Sequence, residues 1–212
     1  MEQPVPTNKR YTWEEYLAFE ESSPVKHEFH DGKLVPIQWI GDGPAPEGMA
    51  GGTENHSSIS IGVSSTLRTA LRGKPCKVHG SELKLQVPAA LRGYYPDAMI
   101  ICGDTEYPPD DKHRTSVLNP RVIVEVLSDS TSDFDLGEKF DHYRLVESLQ
   151  EYVVISQTEP RIRVFRRNDD GTWTFDVAVG LDATARLDSV EVDLPLAEVY
   201  ADVEFDKSDA KA

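Results

Sequence analysis

Two periods of apolar residues alternate along the chain and divide it into elements. Trp13, Tyr16, Leu17 and Phe19 make one apolar face, and Thr12 with Glu15 spells T-x-x-E, so a short capped helix is predicted there. KHEFHDGKLVPI (26–37) then reads as a hairpin turning at Asp31-Gly32. Residues 41–52, GDGPAPEGMAGG, are too rich in Gly and Pro to be anything but a loop. From His56 to Leu71, Ile59, Val63, Leu67 and Leu71 recur every four residues, which predicts a helix capped by Asn55 and ended by Gly73.

Extended segments follow at 76–79, 82–87, 95–102 and 121–127. The last, RVIVEVL, is almost wholly β-branched, as in a strand buried on both faces. TSDFDLGEKFDHYRLVESL is expected to begin on a capping residue and to carry Phe140, Tyr143 and Leu145 on a helix. EYVVIS (151–156) returns as a strand, so 121–156 reads as a βαβ unit with parallel pairing. RIRVFRR and TWTFDVAV flank Asp170-Gly171 as a hairpin, and PLAEVYADV is a short capped helix before a frayed end, DKSDAKA. The expected architecture is a single α/β domain over 1–212. Its N-terminal helix and hairpin span 1–40 and its core spans about 53–156, a mixed sheet flanked by helices. A C-terminal hairpin and helix cover 161–205.

Composition narrows the class. With 212 residues, 39% hydrophobic and 28% charged, the chain is long and apolar enough to bury a core unaided. No run approaches the roughly 20 apolar residues of a membrane span, and the N-terminus lacks an apolar signal core, so a cytoplasmic protein is expected. Cys76 and Cys102 have neither framework nor metal spacing and read as reduced core thiols. The net charge of −15 argues against a non-specific nucleic-acid coat. Residues 81–160 hold the largest acidic excess, with fifteen Asp and Glu against seven Lys and Arg. The densest basic clusters, Arg68, Arg72, Lys74 and Lys77 and then Arg161, Arg163, Arg166 and Arg167, read as solvated faces rather than a groove.

Several familiar sites are absent. Gly73-Lys74-Pro75 is no P-loop, no G-x-G-x-x-G follows a strand, and no G-x-S-x-G elbow occurs. His27 and His30, three apart on an extended arm, point to opposite faces and make no zinc pair. What stands out is Glu125, an acid inside an apolar strand, and Asp97, which opens the apolar run AMIIC. A buried carboxylate demands a cation, a metal or donors, and two of them can hold a hard divalent ion. Phosphate hydrolysis would also need a group to offset charge on the attacked phosphate. Lys139 lies near the start of the helix that leaves the Glu125 strand, and Lys84 in ELKLQV is its rival.

The stretches SELKLQV, YYPDAMIIC, VIVEVLSDSTSDFDLGEKFDHYRLVESLQEYVVIS and PLAEVYADV, with TWEEYLAFE and HEFHDGKLV before them, resemble the PD-(D/E)XK nuclease superfamily and, within it, the Uma-two family of restriction-endonuclease-like proteins. The resemblance covers nearly the whole chain. It implies a restriction-endonuclease-like fold and a Mg2+-dependent (or Mn2+-dependent) endonuclease acting on DNA, with Asp97 and Glu125 as metal ligands. The E-x-K lysine would fall at position 127, where this chain has Leu127, so by resemblance its role passes to Lys139. Glu28 matches a further family position, read as an additional metal or water contact. His56 matches another, open between a site role and a helix-start residue bonded to backbone, and Lys84 also fits the family pattern. Three readings stay open: a DNA endonuclease, expected as a homodimer, a phosphodiesterase acting on RNA or small nucleotides, and a catalytically silent interaction domain that keeps the fold.

Overall fold

The computed structural model describes residues 9–37, 53–127 and 136–205. The loop expected at 41–52, the capping start of the third helix and the tail DKSDAKA fall outside the described residues. Helix α1 (Trp13–Glu20) closes its capping box as predicted. The Glu15 amide donates to the Thr12 hydroxyl at 3.2 Å, and Glu15 Oε2 accepts from the Thr12 amide at 2.9 Å. Strands β1 (His27–His30) and β2 (Lys33–Pro36) pair antiparallel around Asp31 and Gly32, both at positive φ, which suits a tight hairpin turn.

Helix α2 (Glu54–Ala70) buries Ile59, Val63 and Leu67. Its cap is Thr53, whose hydroxyl accepts the His56 amide, and not Asn55. The Asn55 amide instead reaches the carbonyls of Gln157 and Glu204, because it already lies in the first turn. Gly62 lets the helix approach the C-terminal segment, since a Cβ there would lie 2.5 Å from the Val199 carbonyl oxygen.

The central sheet takes strands from distant parts of the chain, in the order β11-β10-β9-β8-β6-β3. These are β3 (Cys76–Gly80), β6 (Ala98–Cys102), β8 (Val122–Leu127), β9 (Glu151–Ser156), β10 (Arg161–Arg167) and β11 (Trp173–Val179). As the βαβ reading required, β8 and β9 are parallel; the other four pairings are antiparallel. The helix between them is α3 (Glu138–Tyr143).

Three features depart from the sequence reading. The segment 82–87 does not join the central sheet: β4 (Lys84–Val87) lies in a second sheet, β2-β1-β5-β4-β7, with β5 (Arg92–Tyr94), β7 (Ser116–Val117) and the N-terminal hairpin. Strands β12 (Thr184–Leu187) and β13 (Val192–Pro195) form a third, two-stranded sheet, and helix α4 (Leu196–Val199) is one turn with no side-chain cap. Strands of two to four residues are too short to show a period. Cys76 and Cys102 are disulfide-bonded, not reduced. The antiparallel β3–β6 register sets them directly opposite, with Cα atoms 4.0 Å apart, a proximity that a separation of 26 residues conceals.

Strand β8 is buried on both faces. Val122, Val124 and Val126 pack with α2, α4 and β13 on one side. On the other, Ile123 joins Leu85, Tyr94, Tyr143 and Tyr152 under α3 and the second sheet. Glu125 points the same way as Ile123, into this second core.

Candidate active site

Asp97 stands just before β6. Ala98 pairs with Val124, so the same register continued by one residue sets Asp97 opposite Glu125 on the face that carries Met99, Ile101 and Ile123. Asp97 Oδ2 accepts the amide of Val126 at 2.8 Å, which fixes its carboxylate beside the Glu125 strand. Its Oδ1 lies 3.4 Å from Nε2 of His56, which the first turn of α2 carries to the sheet.

Glu125 is 4% exposed. Burial of an ion at this depth is tolerated because donors surround it. Lys139 Nζ lies 2.9 Å from Oε1, and the Tyr143 hydroxyl donates to the same oxygen at 2.6 Å. Lys139 and Tyr143 stand four residues apart on α3, so one helix face delivers both. Burial first, and then the Glu125 charge, push the Tyr143 phenol far above its ordinary range, so it remains a donor. The ammonium of Lys139 also lies 3.9 Å from Glu28 Oε1 and faces the rings of Tyr94 and Tyr143. Glu28 Oε2 meets His30 Nε2 at 2.9 Å.

Tyr94 closes this side of the site. Burial raises its phenol, with Glu28 adding to the effect, while burial and then Arg92 lower His142. A protonated phenol facing a neutral imidazole fixes the polarity of their 2.6 Å contact: Tyr94 donates to His142 Nδ1.

Five of the six residues singled out from the sequence therefore form one chain of contacts, His56–Asp97–Val126 amide, then Glu125–Lys139–Glu28. Lys84 lies elsewhere. It is buried on β4 against the Tyr95 ring, and desolvation lowers its pKa despite the opposing charges of Glu20 and Asp111. Among the described residues no hydrogen bond or ion pair joins it to Asp97 or Glu125. Tyr94, Tyr143 and His142 were not anticipated. Only the Lys139-x-x-x-Tyr143 spacing could have pointed to the second of them. His27 does diverge from His30, its Nδ1 meeting Glu20 Oε1 at 2.8 Å in a separate buried cluster with Tyr95.

Among the described residues no three His, Cys, Asp or Glu side chains gather tightly enough to enclose a metal by themselves. Two carboxylates on one face, with nitrogen donors already turned towards them, still suit a hard ion. Magnesium is usually held by one or two carboxylates and completes its shell with water and substrate phosphate. The donor set is wrong for a structural zinc, which needs four nitrogen or sulfur ligands.

Comparison with known proteins bears on family and fold. Residues 13–198 match the family model "Uma2: Putative restriction endonuclease". "Uncharacterized protein slr1290" of Synechocystis sp. (strain PCC 6803) is 34% identical over 184 residues, 87% of either chain. "Uncharacterized protein sll1609" of the same organism is 31% identical, covering 84% of this chain and 93% of the relative. Among solved structures, a "putative nuclease belonging to DUF820" from Anabaena variabilis ATCC 29413 superposes with a TM-score of 0.63 at 16% identity, covering 88% of this chain and 97% of its own. That likeness concerns the fold alone, a mixed α/β fold shared with that protein. The match over most of its length and the two relatives above 30% identity place the chain in one family: it belongs to the Uma2 family of restriction-endonuclease-like proteins.

Proposed function

We propose that the protein is a magnesium- or manganese-dependent endonuclease that hydrolyses DNA phosphodiester bonds, working as one nuclease-like domain. The observation that carries this reading is the opposition of Asp97 and Glu125 across β6 and β8, with Lys139 2.9 Å from Glu125. Asp97 and Glu125 would hold the ion, which when bound would acidify a water and draw charge from the scissile phosphate. The Val126 amide and His56 orient Asp97, so its carboxylate keeps one direction as substrate arrives. Lys139 supplies positive charge where the attacked phosphate gathers negative charge. Tyr143 and Glu28 hold that ammonium and its carboxylate in register.

A cytoplasmic location belongs to the same proposal. As a separate fact, no helix among the described residues is long and apolar enough to cross a membrane. A homodimer is proposed with it. Phe175, Val177 and Val179 stand exposed along β11, an edge of the central sheet, where a second copy could cover them.

The test is cleavage of supercoiled plasmid, single-stranded DNA and RNA with Mg2+ or Mn2+, comparing wild type with Asp97→Ala and Glu125→Ala. Metal-dependent cleavage of DNA that both substitutions abolish is expected. Equal cleavage by all three proteins would assign it to a contaminant, and preference for RNA would transfer the site to that substrate. A second reading has one observation in its favour: Glu125 Oε1 already accepts from Lys139 and Tyr143, as in a silent fold kept for interaction. Calorimetric titration with Mg2+ separates them, since binding that Glu125→Gln abolishes belongs to the nuclease.

A further inference from the structure

We infer that the groove along α2 is the track for the DNA phosphodiester backbone beside the scissile phosphate, with Arg68 and Arg72 as its phosphate-binding residues. The inference rests on the nuclease reading and extends it from Asp97 along α2.

A cavity of about 650 Å3 opens between α2 and β3, with Asp97 and His56 at one end and Arg68 at the other. A second cavity of about 430 Å3 shares Ser65 and Arg68 and runs on to Arg72. The two form one groove leading away from the proposed metal ligand. Its helical wall is built at a spacing of three and four residues, Ser57, Ser60, Ser64 and Arg68, so the hydroxyls follow one face. From Ser57 to the end of α2 at Ala70, thirteen steps at 1.5 Å per residue cover about 20 Å, and Arg72 lies just beyond.

The chemistry of the wall selects the occupant. Ser60 Oγ is buried without a hydrogen-bond partner, and an unsatisfied buried hydroxyl is costly. Arg68 and Arg72 are exposed and, among the described residues, have neither an ion pair nor a side-chain hydrogen bond, in a chain whose net charge is −15. Several other basic groups are engaged within the protein. Arg166 meets Glu151, Asp176 and Asp188, Arg161 meets Glu159, and Arg167 donates to the carbonyls of Leu149, Arg144 and Val146. Lys74 is held by the Val190 and Glu191 carbonyls. Lys77 lies on the opposite face of β3 from Val78, which lines the groove. Guanidinium pairs and hydroxyl donors recognise phosphate oxygens whatever the base sequence.

The test is binding, read without cleavage. Fluorescence anisotropy of labelled 20-mer single-stranded and duplex DNA is measured in EDTA from about 50 to 200 mM salt, for wild type, Arg68→Ala/Arg72→Ala and, as a charge-matched control, Lys77→Ala/Lys112→Ala. The groove variant is expected to bind at least tenfold more weakly at low salt. Its slope of log K against log salt should be shallower by about 1.8 for duplex or about 1.4 for a single strand, the loss of two phosphate contacts. The DNA form that shows this loss is the form the groove takes, and the control should match wild type. A groove variant that binds as wild type does, with the same slope, overturns the inference and leaves the nuclease reading intact, as does a wild type that cleaves plasmid but loses binding equally in both double variants. Binding that depends on Arg68 and Arg72 in a protein that never cleaves with metal sustains the groove and removes the nuclease.

Discussion

Glu125 and Lys139 neutralise each other inside the protein, 2.9 Å apart, with side chains only 5% and 9% exposed. Neither charge could be buried alone, and each comes from a different element: β8 presents the acid and α3 returns the base over it. The pair thus fixes α3 against the sheet as well as charging the site.

Removing only the cation should therefore harm both stability and activity. Lys139→Met leaves the Glu125 carboxylate in the core with Tyr143 as its remaining described donor. Breaking a buried pair this way costs about 3–5 kcal/mol, whereas replacing both members by uncharged groups costs much less. In urea denaturation, Lys139→Met is expected to be several kcal/mol less stable than wild type, and Glu125→Gln/Lys139→Met to recover most of that. Cleavage by Lys139→Met should fall by about 10²–10³-fold, and the double variant should not recover it. A double variant no more stable than Lys139→Met would mean that the charges are not coupled.

The reach of sequence reasoning follows from this pair. Glu125 was legible because an acid in VIVEVL violates the pattern of a buried strand, and Lys139 because the helix after that strand begins beside its carboxyl end. Parallel pairing of β8 and β9 followed from the same segment. The second sheet was not legible, because β1, β5, β4 and β7 are short and assembled from segments up to ninety residues apart. Nor was the groove: Arg68, Arg72, Lys74 and Lys77 look alike as a cluster, and only packing shows that Lys74 is held by carbonyls while Arg68 faces a cavity.

The disulfide supplies a prediction that the sequence reading would have denied. Cys76–Cys102 closes a loop of about 26 residues containing β3, β4, β5 and β6, and ties the edge strand that forms one wall of the α2 groove. Loop closure of this length contributes about 3–4 kcal/mol. Cys76→Ser/Cys102→Ser, or wild type in reductant, should lose about that much in urea denaturation, while adding reductant should not change the stability of the double variant. If reductant leaves wild-type stability unchanged, the bond does not form in solution.

His142 gives the site a defined acid limit. Burial and Arg92 hold its pKa below the ordinary 6.5, so the folded protein keeps the imidazole neutral and able to accept from Tyr94. Between the depressed folded value and 6.5 the unfolded chain binds the proton more strongly, so stability is full above 6.5 and falls as pH drops through that window. Thermal melts from pH 7.5 to 5 should show this decline in wild type and a shallower one in His142→Gln. Identical pH profiles would exclude His142 as the titrating group.

Lys84 should behave in the opposite way to Lys139. It is 6% exposed on β4, among the described residues it has no carboxylate within salt-bridge distance, and desolvation outweighs Glu20 and Asp111 to lower its pKa below 10.5. A lysine with a depressed folded value holds its proton against its surroundings. The unfolded chain binds that proton more tightly, so the penalty is complete below the folded pKa and is relieved as pH rises towards 10.5. Lys84→Met keeps an apolar stem and removes the ammonium that faces the Tyr95 ring. It is expected to equal or exceed wild-type stability at pH 7, with the advantage narrowing by pH 10.5, and to retain cleavage within a fewfold. A loss of cleavage as large as that of Lys139→Met, in a variant that melts normally, would instead make Lys84 the working lysine of the site.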